Sequence, residues 1–240
     1  MAIISVTLTV KSYAKDSLDR AYKSYILGDF NTSLVELKEG VHYAGGDEML
    51  YLAGMDYLEL GDYEGAREYF RRVINNFKDN LFYQPAQIKY ADTYFLETNY
   101  TQAQIVYASI LEKNSAPDYL PRVYLRLAQV SAKLGQWEEE KKYIKKIRKE
   151  FPGSVEEYYV DILENRGYFF TIQVGAFSEK VNAYELMQKL EDKYPAYWVE
   201  EEGDEVSLYK VRVGKYQDRA DAVKVYHALV EDGYPARIFP

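Results

Sequence analysis

The chain has 240 residues, 48% apolar and 28% charged, a balance that excludes a disordered polymer and leaves room for more than one domain. Its formal charge of -8 is spread along the length, 21 basic against 25 acidic residues up to 167 and 9 against 13 beyond, which excludes bulk electrostatic capture of nucleic acid by either part. Cysteine is absent, so disulfides, thiol nucleophiles and thiolate-held metals are excluded together, while the redox compartment stays open.

Residues 1–13 read as a clipped export signal or as a fraying N-terminal arm. The run from Ile3 to Val10 is apolar and Ser12-Tyr13-Ala14 has small-x-small spacing, yet no Lys or Arg precedes the run. It is too short to cross a bilayer, and no later run is long enough, so no transmembrane segment is expected.

Residues 14–165 form a repeat. The segments LGDFNTSLVEL, LGDYEGAREYF, ETNYTQAQIVY and LGQWEEEKKYI recur at spacings of 33 to 37 residues. Each places an aromatic near a helix start: Phe30, Tyr63, Tyr100 and Trp137. Nine residues earlier stands a small residue, Ala21, Gly54, Ala91 or Ala128, where antiparallel helices approach closely. Three residues later comes a second contact point, small in Ser33, Ala66 and Ala103. This pattern resembles the tetratricopeptide repeat, with four helix-turn-helix units over residues 14–152 and a capping helix near 154–165. Thr98 stands where the third unit would have its turn glycine. Glu140 replaces the fourth unit's second small residue and is expected to face solvent.

The resemblance implies an all-α solenoid that holds a protein or peptide in a concave groove. By the family's pattern that groove carries Tyr22, Tyr51, Met55, Ile88, Asp92, Arg122 and Gln129. The alternative for each is packing between units or plain solvation.

Residues 168–240 repeat a different phrase. In Phe169 to Val174 the side chains alternate, Phe170, Ile172 and Val174 toward a core and Phe169, Thr171 and Gln173 away from it. After Gly175 and Phe177 a helix follows with Ala183, Leu186, Met187 and Leu190 on one stripe. Thirty-nine residues on, the pattern returns as Tyr209, Val211, Val213, Gly214, Tyr216, Ala222, Val225, Tyr226 and Leu229. Each copy closes on Tyr-Pro-Ala and a short strand, YWVE or RIF. Two such halves are too small to bury a core separately. They predict one α+β domain, βαββαβ, whose four-stranded antiparallel sheet carries both helices on one face and leaves the other bare. The glycines are expected at strand-to-helix turns that need positive φ or close backbone approach.

VGAF before an alanine-bearing helix, then YKVRVGKY and YPARI, resembles the SPOR domain, the sporulation-related repeat of bacterial envelope proteins, over residues 168–240. The resemblance implies binding of peptidoglycan glycan strands stripped of stem peptides, on the bare sheet face, in a periplasmic or cell-envelope setting. Carried over, the glycan-binding positions are Thr171, Gln173, Ala176, Leu208, Lys210, Arg212 and Ile238. Ala176 stands where the family often has Ser, Lys210 where it commonly has Arg, and Leu208 where it often has an aromatic. The chemistry suits the ligand. An amide both donates and accepts, and a cation meets the lactyl carboxylate that stem removal exposes.

Other functions are weighed on the same residues. RNA-binding sheets of this topology present paired aromatics, whereas Thr171, Gln173, Lys210 and Arg212 occupy the centre here, so no nucleic-acid partner is expected. For an enzyme, His42 and His227 lie in different domains and neither HExxH nor a phosphate loop occurs, so neither catalysis nor a cofactor is expected. A scaffold whose terminal domain no longer binds glycan is the third reading. The sequence thus predicts a non-catalytic envelope adaptor, with its two parts joined near Glu164 to Gly167.

Overall fold

The computed structural model describes residues 15–44, 46–78, 80–112, 117–165, 167–201 and 207–240, so the export reading of segment 1–13 lies outside the described residues. The chain divides into two compact units, Met1–Val123 and Tyr124–Pro240.

In the first unit, helix α1 (15–26) is followed by α2 (Phe30–Ala44), α3 (Asp47–Glu59), α4 (Tyr63–Asn76), α5 (Tyr83–Leu96) and α6 (Tyr100–Glu112). In the first three repeats the residue before the aromatic caps its helix, whereas Gln136 before Trp137 makes no side-chain cap bond. Asp29 accepts from Thr32 N at 3.1 Å, Asp62 from Gly65 N at 2.9 Å and Asn99 from Gln102 N at 3.2 Å. The preceding helix ends in a left-handed residue that lets the next amide reach five residues back. Gly61 does this at φ 76°, and Asp62 N bonds to Tyr57 O at 2.9 Å. Thr98 adopts the same conformation, φ 61°, with Asn99 N bonded to Tyr94 O at 2.9 Å. The turn survives the loss of glycine, at the steric cost of a Cβ in left-handed backbone.

The small positions set the helix spacing. Ala21, Ser33, Ala66, Ala91 and Ala103 are fully buried. A Cβ on Gly54 would stand 2.6 Å from the ring of Phe70, itself buried, so α3 and α4 approach as closely as they do only with glycine there.

The division between units falls in the first turn of α7 (Leu120–Lys133). The second unit continues with α8 (Trp137–Glu150) and α9 (Val155–Asn165), tied by Arg148 to Asp161 at 2.7 Å and to Glu164 at 2.5 Å. Glu140 corrects its expectation. It occupies the small-residue position and is fully buried, because that position faces the packed side of α8 with Ile144 and Ile147.

The rest is β1 (Phe170–Phe177), α10 (Lys180–Glu191), β2 (Ala196–Glu201), β3 (Leu208–Tyr216), α11 (Arg219–Glu231) and β4 (Arg237–Phe239). The sheet order is β2-β3-β1-β4, every pair antiparallel. Ile172, Val174, Val211 and Val213 pack against Ala183, Leu190 and Leu229, so both helices cover one side, as the duplicated stripes require.

Phe170 differs from its expected place. It is buried, but against the ring of Trp137, centroids 5.1 Å apart, and over Gly135 rather than in the helix-side core. Trp137 Nε1 also donates to Gln217 O at 3.3 Å, and Lys133 Nζ donates to the carbonyl of Pro240. The fourth repeat and the sheet therefore share one compact body.

Candidate functional site

The bare side of the sheet is built by two bulges. Pairing between β1 and β3 slips between Gln173 and Gly175, and again between Phe170 and Ile172, where β3 runs from Tyr216 to Val213. Each slip carries one glycine of the duplicated phrase, so both glycines lie within strands rather than at the strand-to-helix turn. Gly175 allows close approach: a Cβ there would stand 2.7 Å from Phe177 and 2.9 Å from Leu186. Gly214 supplies positive φ, 67°. The extra residue in β1 reverses the alternation. Phe177 turns to the helix side and Ala176 to the bare side, opposite Lys210.

Register then assigns the central rows of the bare face. Tyr197, Arg212, Gln173 and Arg237 form one row across all four strands, and Val199, Lys210 and Ala176 form a second beside it. Gln173 Oε1 and Arg212 Nε, on directly paired residues, are both buried without a hydrogen-bond partner. The Arg212 guanidinium lies 5.9 Å from the centroid of Phe239 and that of Arg237 lies 5.2 Å from it. Glu201 Oε2 stands 2.5 Å from Lys210 Nζ and 3.9 Å from Arg212 Nη2. Among the described residues, Lys210, Arg212 and Arg237 thus lie in these two rows, with Glu201 in reach of the first two, and Lys215 Nζ stands 5.2 Å from the centroid of Tyr197.

Two expected site residues are placed otherwise. Thr171 is only 3% exposed, because Tyr197 reaches across β3 and its hydroxyl meets Thr171 Oγ1 at 3.0 Å. Ile238 pairs with Ile172 and packs on the helix-side core, so the last strand offers its neighbours Arg237 and Phe239 instead. Gln173, Ala176, Leu208, Lys210 and Arg212 do come together on the bare face, with Ala176 and Leu208 exposed. Sequence reasoning missed Tyr197, Glu201, Arg237 and Phe239. The duplication held the signal: Tyr-Pro-Ala aligns Arg237 with Tyr197 and Ile238 with Trp198, which is also on the helix side. Tyr197 and Phe239 place one ring on each edge strand.

Of the expected groove residues, Tyr22 donates to Glu48 Oε1 at 2.9 Å, and burial together with that carboxylate raises its hydroxyl pKa. Tyr51 is half-buried between the rings of Phe70 and Phe82, at 5.7 and 5.0 Å, and burial pushes its hydroxyl up to about 12. Met55 packs beside Tyr51 in the same cluster, and Arg122 is exposed. Ile88 and Asp92 are buried, with Asp92 accepting from Tyr107 of α6, because they face the next helix and not an open surface. Gln129 lies in the second unit and accepts from Arg126 Nη1 at 2.9 Å.

Among the described residues, the chain combines stacked helical hairpins with a sheet that carries its helices on one face. The comparisons agree. The family model described as tetratricopeptide repeat-like domain matches residues 47–194, more than half of the chain, and the chain belongs to that family. The SPOR domain model matches residues 167–238. The two overlap over 167–194, which the structure gives to β1 and α10 of the sheet domain.

Similar solved structures include a tetratricopeptide repeat protein from Parabacteroides merdae, 14% identical with TM-score 0.53, covering 75% of this chain and 65% of its own. MamA from Desulfovibrio magneticus is 18% identical with TM-score 0.50, covering 64% and 86%. PilW, a type IV pilus biogenesis factor, is 17% identical with TM-score 0.51, covering 61% and 66%. At these identities the likeness is one of fold. No curated protein matches the chain. Among the described residues no helix is long and apolar enough to cross a membrane.

Proposed function

We propose that this chain is a non-catalytic adaptor of the bacterial cell envelope. Its sheet docks on peptidoglycan strands freed of their stem peptides, and its helical repeats hold a protein partner. The observation that carries the reading is the central pair of Gln173 Oε1 and Arg212 Nε, an acceptor and a donor paired in register and both without a partner. Buried polar atoms are rarely left so. A sugar hydroxyl satisfies both at once, accepting from the arginine and donating to the amide. Lys210, Arg212 and Arg237 suit the lactyl carboxylate of a muramic acid residue. Tyr197 and Phe239 supply ring faces for the apolar side of a pyranose. Two sites on one chain concentrate the partner where the wall is remodelled.

The test is sedimentation with purified sacculi before and after amidase digestion. The parent pellets with digested sacculi. Gln173→Ala combined with Lys210→Ala weakens pelleting with unchanged circular dichroism. Equal pelleting of variant and parent rejects the site, and no pelleting of the parent rejects the glycan reading in favour of a protein scaffold.

A further inference from the structure

We infer that Glu201 is a built-in stand-in for the ligand's carboxylate: it holds Lys210 and Arg212 in the free protein and is displaced when an anionic saccharide binds. The inference rests on the proposed glycan site and concerns how that site is kept and released. Glu201 bridges both cations through a single oxygen, Oε2. It reaches beyond its own register partner to do so. Its own cross-strand partner is Leu208, while Val199 stands opposite Lys210 and Tyr197 opposite Arg212. Lys210 is thus its diagonal neighbour, an ordinary reach for a long side chain, whereas Arg212 lies two residues further along β3. Here the acid leans along the strand to reach cations whose own partners are an aliphatic and a ring.

Exposure supports displacement. The Glu201 side chain is 55% exposed, whereas Lys210 and Arg212 are each 18% exposed, so the acid is the member of the trio most open to solvent. In the row that includes Arg212, Gln173 Oε1 and Arg212 Nε are buried without a partner. A ligand must shift the arginine to reach them, and a carboxylate that replaces Glu201 on the same two cations does so with no net loss of ion pairing. A neutral saccharide has nothing to offer in exchange. Glu201 is thus a specificity-determining residue for carboxylate-bearing glycan. An exposed pair of this kind has an effect of about twofold to fivefold on an equilibrium.

The experiment uses the full chain and three proteins: parent, Glu201→Gln, and Glu200→Gln as a control with the same charge change on the other side of the strand. Each is titrated with sodium lactate at constant ionic strength while the Arg212 Nε–Hε signal is followed by NMR. Each is also sedimented with amidase-treated sacculi. Glu201→Gln is expected to respond to lactate at about twofold to fivefold lower concentration than the parent and to pellet at lower sacculus concentration, with the control like the parent. The lactate titration decides: an equal or weaker response of Glu201→Gln, or an equal gain in the control, overturns the inference. If that gain appears while the parent fails to pellet, the glycan reading falls and the stand-in role remains. If the parent pellets and the gain is absent, the reverse holds.

Discussion

Asp56 is the most consequential buried acid in the repeats. It sits on α3, fully buried, with one hydrogen bond, from Ser33 Oγ at 2.7 Å to Oδ2, and its Oδ1 has none. Burial raises its pKa from 3.8 to about 7, and the Ser33 bond offsets only part of this. Because the folded value lies above the unfolded one, the protonated acid favours the fold. Stability is full below pH 4 and is lost as pH rises toward and through 7. The gap between 3.8 and about 7 is worth about 4 kcal/mol once complete, of which about 2–3 kcal/mol falls between pH 5 and 8. Asp56→Asn keeps an acceptor for Ser33 and cannot ionise. Thermal melts of parent and variant across pH 5 to 8 should therefore diverge, the parent losing roughly 5–10 °C relative to the variant. A difference between the two that stays constant with pH, or one in which the parent gains as pH rises, would refute the buried-carboxylate argument.

Three further changes test other steps. Thr98→Gly should stabilise the third turn by about 0.5–1 kcal/mol in urea unfolding, since glycine removes the left-handed penalty and gives part of it back as unfolded-chain entropy; a loss of stability would show that the threonine side chain matters more than its φ. Trp137→Ala removes the ring over Phe170 and the bond to Gln217 O, and should cost about 2 kcal/mol in unfolding monitored through the near-ultraviolet signal of the sheet domain. An effect below about 0.5 kcal/mol would mean that the sheet stands without the fourth repeat. Gly214→Ala should cost at least about 2 kcal/mol by the same assay, because positive φ is combined with a Cβ 2.2 Å from the Tyr216 ring.

The parts of the fold written as repeats were legible. Small residues at fixed distances from Phe30, Tyr63, Tyr100 and Trp137 located the helical hairpins, and the doubled VG phrase located both halves of the sheet domain. What escaped depended on register. One extra residue at a bulge exchanges the two faces downstream, so strict alternation cannot say that Ala176 meets Lys210 while Phe177 turns inward. In the three-residue β4, alternation has too little length to choose between Ile238 and its neighbours, and only the pairing with Ile172 does so. Thr171 was read on the right face, but a ring arriving from two strands away covers it. Glu140 shows the opposite failure, where a charged type at a core position suggested solvent and the packing overrode it.

The ring of Trp137 against Phe170 has a mechanical reading. On the proposed reading, a sheet docked on a covalent mesh would come under tension whenever the mesh stretches, and a slack tether would absorb that tension before anything attached could feel it. Here the first strand is clamped at its root to a helix of the repeats, so a tug on the sheet arrives at that helix directly.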